Sequence, residues 1–153
     1  MRALLIFLFT LGIFAAVHAA DAVTGRVVKV LPLLLDSRGR DAISPSLYDR
    51  DAYQAYLRQH TNEISAIRFD FLWQVANPSA AKYQLRIELR GIGADGKPTW
   101  VKLEQEAPPP LLRHWNSLTL GGADYKNFGE LVAWRATLWR GDQLLSEQKS
   151  FLW

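Results

Sequence analysis

Tyr83-Gln84-Leu85-Arg86-Ile87-Glu88-Leu89-Arg90 sets the reading of this chain. Tyr83, Leu85, Ile87 and Leu89 alternate with Gln84, Arg86, Glu88 and Arg90. A period of two puts every apolar side chain on one face of an extended backbone, which is the pattern of a half-buried strand. The same period runs upstream, where Ile67, Phe69, Phe71, Trp73 and Val75 alternate with Arg68, Asp70, Leu72 and Gln74. Asn77-Pro78-Ser79 separates the two stretches as a turn.

Downstream, Thr99, Val101 and Leu103 alternate with Trp100, Lys102 and Glu104. Pro108-Pro109-Pro110 then removes three successive backbone donors, so no ladder can pass through it. Leu111 to Leu120 reads as a less regular strand ending at Gly121-Gly122, and Leu131 to Arg140 and Gln143 to Trp153 as a hairpin turning at Arg140-Gly141-Asp142. Val23 to Leu35 supplies another strand, whose Pro32 assigns it to a sheet edge. The exception is Ser44-Pro45-Ser46-Leu47-Tyr48-Asp49, with serine caps, an early proline and an acid three residues after Ser46. It predicts a helix to about residue 59 with Tyr48, Ala52, Tyr53, Ala55, Tyr56 and Leu57 on its packed side.

The sum is a mainly β chain: an antiparallel seven-stranded β-sandwich with one short α-helix inserted between strands one and two. In architecture it resembles the immunoglobulin and fibronectin type III sandwiches, over residues 23–153. The likeness does not extend to the Cys, Trp, Cys spacing of antibody domains, because the chain has no cysteine. A resemblance of architecture carries no activity with it.

The N-terminus reads as an export signal. Met1-Arg2 is followed by an apolar run of about fifteen residues and then by Val17-His18-Ala19, a small-residue cleavage site. The run is shorter than the ~20 apolar residues of a spanning helix. Residues 1–19 are therefore expected to be removed near Ala19, leaving 20–153 as a single sandwich domain, secreted or periplasmic, without stable membrane insertion. Loss of Arg2 lowers the formal charge of +3 to +2, with no basic run of the kind that nucleic-acid phosphates require.

Several motifs are weaker than their spelling. Gly91-Ile92-Gly93-Ala94-Asp95-Gly96 matches a dinucleotide fingerprint, but a strand follows it where the phosphate-binding helix would have to start, so it reads as a hairpin loop. Arg140-Gly141-Asp142 spells an adhesion tripeptide and is also ordinary turn chemistry. His60 and His114 belong to no metal-ligand spacing, and Asp49 and Asp51 stand two residues apart on a helix, facing different ways. No catalytic set and no cofactor are expected.

Tryptophan is the surplus: six, with five tyrosines. Trp73 and Trp134 share faces with other apolar residues and read as core. Trp100 and Trp139 fall on polar faces, with Trp115 behind them, and Arg135 lies in step with Trp139. These four are the candidate ligand-binding residues of a non-enzymatic binding or envelope-assembly module, with a protein or glycan partner in the cell envelope or outside the cell. A carbohydrate-binding role is its sharper form. A small outer-membrane barrel is the remaining alternative, opposed by Glu147 and Lys149, which would share a lipid-facing side with Phe151 and Trp153.

Overall fold

The computed structural model describes residues 23–78 and 81–153; the expected export signal, its cleavage site and Ser79 lie outside them. The alternating stretches become seven strands among the described residues: β1 (Thr24–Asp36), β2 (Ile64–Ala76), β3 (Tyr83–Ile92), β4 (Pro98–Ala107), β5 (His114–Gly121), β6 (Glu130–Arg140) and β7 (Gln143–Lys149). They divide into a three-stranded sheet, β1-β2-β5, and a four-stranded sheet, β4-β3-β6-β7, antiparallel throughout. Among the described residues the strands form two separate sheets and not one closed barrel.

One apolar cluster draws on both sheets. Val27, Val30, Phe69, Phe71, Trp73 and Leu118 come from the first, and Tyr83, Leu85, Ile87, Leu89, Ala136 and Leu138 from the second. Rings meet across it: Phe69 packs edge-on to Trp134 at 6.4 Å, and Trp73 lies 6.2 Å from Tyr83. The Trp73 indole N–H donates to Asn116 Oδ1 at 2.8 Å, so its one polar atom is satisfied inside the core.

Pro32 sits where its missing N–H is harmless, because β1 is the edge of its sheet. Two sets of side chains tie down the free side of β1. At its start, the Val27 N–H donates to Ser146 Oγ at 3.0 Å, and Gln148 Nε2 donates to the Val27 and Val28 carbonyls at 3.0 and 3.1 Å, binding β1 to β7 across the sheets. Near its end, the Leu34 N–H donates to Gln54 Oε1 and its carbonyl accepts from Gln54 Nε2, both at 2.8 Å.

Gln54 comes from α1 (Leu47–Gln59), whose Ser46 hydroxyl caps Asp49 N–H at 3.4 Å and whose last carbonyls accept from His60 N–H. The residues α1 buries are Gln54 and Leu57, while Tyr48 is exposed and Ala52, Ala55 and Tyr56 largely so. The packed-side reading of this helix holds at Leu57 and is corrected at Tyr48, Ala52, Ala55 and Tyr56: the other buried position is an amide, Gln54, that completes a strand edge. The loop between β1 and α1 is fixed by Asp36. Its carboxylate accepts from Arg38 N–H, Arg40 N–H, Arg40 Nε and Tyr53 Oη at 2.8–2.9 Å.

Three other boundaries depart from the sequence reading. Leu111 and Leu112 are exposed and precede β5, which starts at His114. β7 stops at Lys149, so Phe151 and Trp153 do not continue its faces. A second helix, α2 (Gly122–Phe128), follows β5, with Asp124 in its first turn, Lys126 in its last and Phe128 buried in the common core. Gly129 ends it at φ 80° and ψ −140°, a backbone region open to glycine almost alone.

Gly129→Ala combines that strain with a Cβ placed 2.2 Å from the Ile92 carbonyl oxygen. The expected cost is about 3 kcal/mol or more, a fall in Tm of roughly 6–12 °C by thermal unfolding. Asp36 yields a pH dependence. Burial pushes its carboxyl up, but the N–H groups of Arg40 and Arg38, the Arg40 guanidinium and the Tyr53 hydroxyl outweigh that and hold it well below the usual carboxylate range. A depressed folded value means that the stabilisation is complete above the unfolded value, ~3.9, and is lost as the pH falls from there toward the folded one. Asp36→Asn should therefore destabilise at pH 7 by roughly 1–3 kcal/mol, and the gap from wild type should close below about pH 4 in denaturant titrations.

Candidate functional site

The polar half of the alternation in β3 faces away from the core, and with its neighbours it builds the outer face of the four-stranded sheet. Register gives the rows. Trp100 of β4 stands opposite Arg90, Lys102 opposite Glu88, and Glu104 opposite Arg86. On the other side of β3, Arg135 of β6 stands opposite Glu88, Thr137 opposite Arg86 and Trp139 opposite Gln84. Opposite charges in adjacent strands pair: Arg86 with Glu104 at 2.6 Å, and Arg135 Nε with Glu88 at 2.6 Å, the Arg135 guanidinium also lying 3.7 Å from Glu147. The Lys102 ammonium, with Arg86 beside it, holds the Glu104 carboxyl below its ordinary value against burial.

Aromatic rings are set into this lattice. The Arg86 guanidinium lies 4.8 Å from the Trp139 ring centre, and the Trp139 N–H donates to Thr137 Oγ1 at 2.8 Å. Trp153 lies between two arginines, 4.1 Å from Arg90 and 5.1 Å from Arg135. Its place is set by Ser150, which exchanges hydrogen bonds with Trp134, its hydroxyl accepting from the Trp134 N–H and its own N–H donating to the Trp134 carbonyl, both at 2.9 Å. The Trp153 N–H then donates to the Ser150 carbonyl at 3.2 Å, and the chain turns back across the sheet.

Of the four residues proposed from sequence, three share this face and one does not. Trp100 is 58% exposed. Trp139 is half-buried, covered on one side by Arg86, where its alternation had suggested an open ring. Arg135 is committed to Glu88 and Trp153. Trp115 is 46% exposed but belongs to β5 of the other sheet, opposite Leu72. Trp100 and Trp139 are six positions apart along β3, roughly 20 Å at strand spacing, so they do not form one continuous aromatic surface.

Trp153, Arg90, Arg86, Glu88 and Glu104 went unread as site residues. The last four were visible as the polar half of alternating strands. Trp153 was hidden by reading Gln143 to Trp153 as a single strand.

Chemically, this face offers one open indole, acceptor carboxylates paired with cations, and donor guanidinium edges: the equipment for stacking and hydrogen bonding. His60 lies elsewhere, stacked on Tyr56 at 3.9 Å with Nδ1 2.9 Å from the Tyr56 carbonyl oxygen. His114 opens β5 on the other sheet. No group of three or more His, Cys, Asp or Glu comes together among the described residues. The Gly91–Gly96 segment is split between the end of β3 and a turn in which Gly93 N–H donates to the Lys97 carbonyl. Arg140-Gly141-Asp142 forms the β6–β7 turn, with Gly141 at φ 54°. Comparison with known protein families, characterised proteins and solved structures returned no match.

Proposed function

We propose that this chain is an exported, non-enzymatic recognition module with a fibronectin-like sandwich fold, and that it binds a carbohydrate on the outer face of its four-stranded sheet. The observation that carries the reading is the placement of Trp100. An indole more than half exposed stands opposite Arg90, whose guanidinium lies over Trp153, with the Glu88 and Glu104 carboxylates on the same face of the sheet. A sugar ring stacks its C–H face on an indole while its hydroxyls need both donors and acceptors within reach, and both are on this face.

The fold part of the proposal rests on strand order. The chain runs β1 and β2 in one sheet, β3 and β4 in the other, returns for β5, and ends with β6 and β7 in the second. Such crossings are of Greek-key type, as in immunoglobulin-like and fibronectin-like sandwiches. Export rests on the leader-like N-terminus and on a chain without cysteine that relies on packing. A protein partner in an envelope assembly is the second reading, favoured by Leu111 and Leu112, which are 95% and 82% exposed beside the proline run.

A glycan array followed by titration of the selected oligosaccharide, read by tryptophan fluorescence, tests the proposal. Trp100→Ala should weaken binding at least tenfold with unchanged thermal unfolding, while Trp115→Ala should leave affinity unaltered. Equal affinity in wild type and Trp100→Ala would remove this face as the glycan site.

A further inference from the structure

A hollow in the described part of the molecule lies away from the tryptophan face. Among the described residues, the hydrogen bonds from β7 reach β1 at Val27 and Val28. The β6–β7 register covers Arg135–Arg140 alone. Among the described residues, no strand pairs with the free edge of the later part of β1 or with the first residues of β6 on the side away from β3. A hollow of about 710 Å³ remains there, with α1 and α2 contributing to its walls. That is within the ~300–1,000 Å³ range of small-molecule sites.

Its apolar lining includes Leu34, Ile67 and Leu131, all of which pack against or belong to the common core, together with Tyr125. Burial pushes the Tyr125 hydroxyl up, the mark of a weakly hydrated wall. Charge in the lining comes from Arg58 of α1, Lys126 of α2 and Glu130 at the start of β6. All three are exposed, and neither cation is ion-paired among the described residues. The lining therefore carries a surplus positive charge beside its apolar residues. Gln54 is also in the lining, but its amide is spent on the backbone of Leu34 in β1 and of Asp41 in the loop that follows.

We propose that this hollow binds an amphiphilic anion: an unbranched hydrocarbon chain lying on Leu34, Ile67 and Leu131, with its terminal carboxylate between Arg58 and Lys126. An apolar lining that also holds two cations without ion-pair partners matches that ligand in polarity and charge. An added peptide strand fits less well. Gln54 already occupies the Leu34 edge of β1, and the stretch of β6 beyond its β7 partners is about five residues long and interrupted by a register shift between Arg90 and Gly91 of its β3 neighbour.

The probe is sodium decanoate below its micelle concentration, with decan-1-ol as the uncharged control and backbone amide NMR as the readout. Decanoate should shift the Leu34, Ile67 and Leu131 amides saturably. Arg58→Glu combined with Lys126→Glu should weaken decanoate at least tenfold and leave decan-1-ol unchanged, and in wild type decanoate should bind more tightly than the alcohol. Trp100→Ala should bind decanoate like wild type, so failure of the glycan reading and failure of this one remain separate results. The proposal is overturned if millimolar decanoate leaves those amides unmoved, if the charge reversal has no effect, or if an extended peptide shifts the β6 amides where decanoate does not.

Discussion

The free side of β1 is the constraint on which the rest of this architecture depends. β1 is the edge of its sheet, and an unpaired edge inside a two-layer core would leave backbone groups without partners. The chain answers with side chains where many folds use a further strand. Ser146 and Gln148 satisfy Val27 and Val28, and Gln54 satisfies both polar groups of Leu34. The first set joins the two sheets along one border. The second makes α1 part of the sheet it accompanies. Between the two sets the border stays open, and the hollow lies where it does for that reason.

Cross-links do not hold the layers together, since the chain lacks cysteine. Large rings take that role. Trp73, Tyr83, Phe69, Phe71 and Phe128 are all essentially inaccessible. Truncating one buried ring in such a core costs about 3–5 kcal/mol, comparable with the 2–5 kcal/mol lost with a native disulfide in a small secreted domain. Much of the aromatic surplus is therefore accounted for by cohesion. Of the tryptophans outside that core, Trp115 belongs to the other sheet, and Trp100, Trp139 and Trp153 lie on the outer face of the four-stranded sheet, where Arg86, Arg90 and Arg135 cover two of the three rings. That cover narrows the candidate binding surface to the neighbourhood of Trp100.

The strands were legible because alternation is a property of one strand at a time, and β2 and β3 state it without interruption. What escaped depends on neighbours. Gln54 is polar, and a helix reading sends polar residues to solvent, yet it is buried because a backbone edge needs it. Trp139 does point outward as its alternation says, but Arg86 on the adjacent strand covers it, and no pattern within β6 contains that fact. Seven residues are too few for α2 to stand by its own helical propensity; Phe128 in the core and Gly129 at its end hold it. β7 ends early because Ser150 bonds to Trp134, a contact between residues sixteen apart. The candidate site was legible to the same degree: Trp100 by its place in an alternation, and its partners only through register.

Amide hydrogen exchange at Val27 and Leu34 addresses the edge account most directly. Both N–H groups donate to side chains, Val27 to Ser146 Oγ and Leu34 to Gln54 Oε1, on the side of β1 that has no strand. If those side chains complete the edge, the two amides exchange as slowly as the β1 amides in the ladder with β2, and Gln54→Ala speeds Leu34 while leaving Val27 protected. Exchange of Val27 and Leu34 in the native protein at the rate of open, solvated amides would contradict the account.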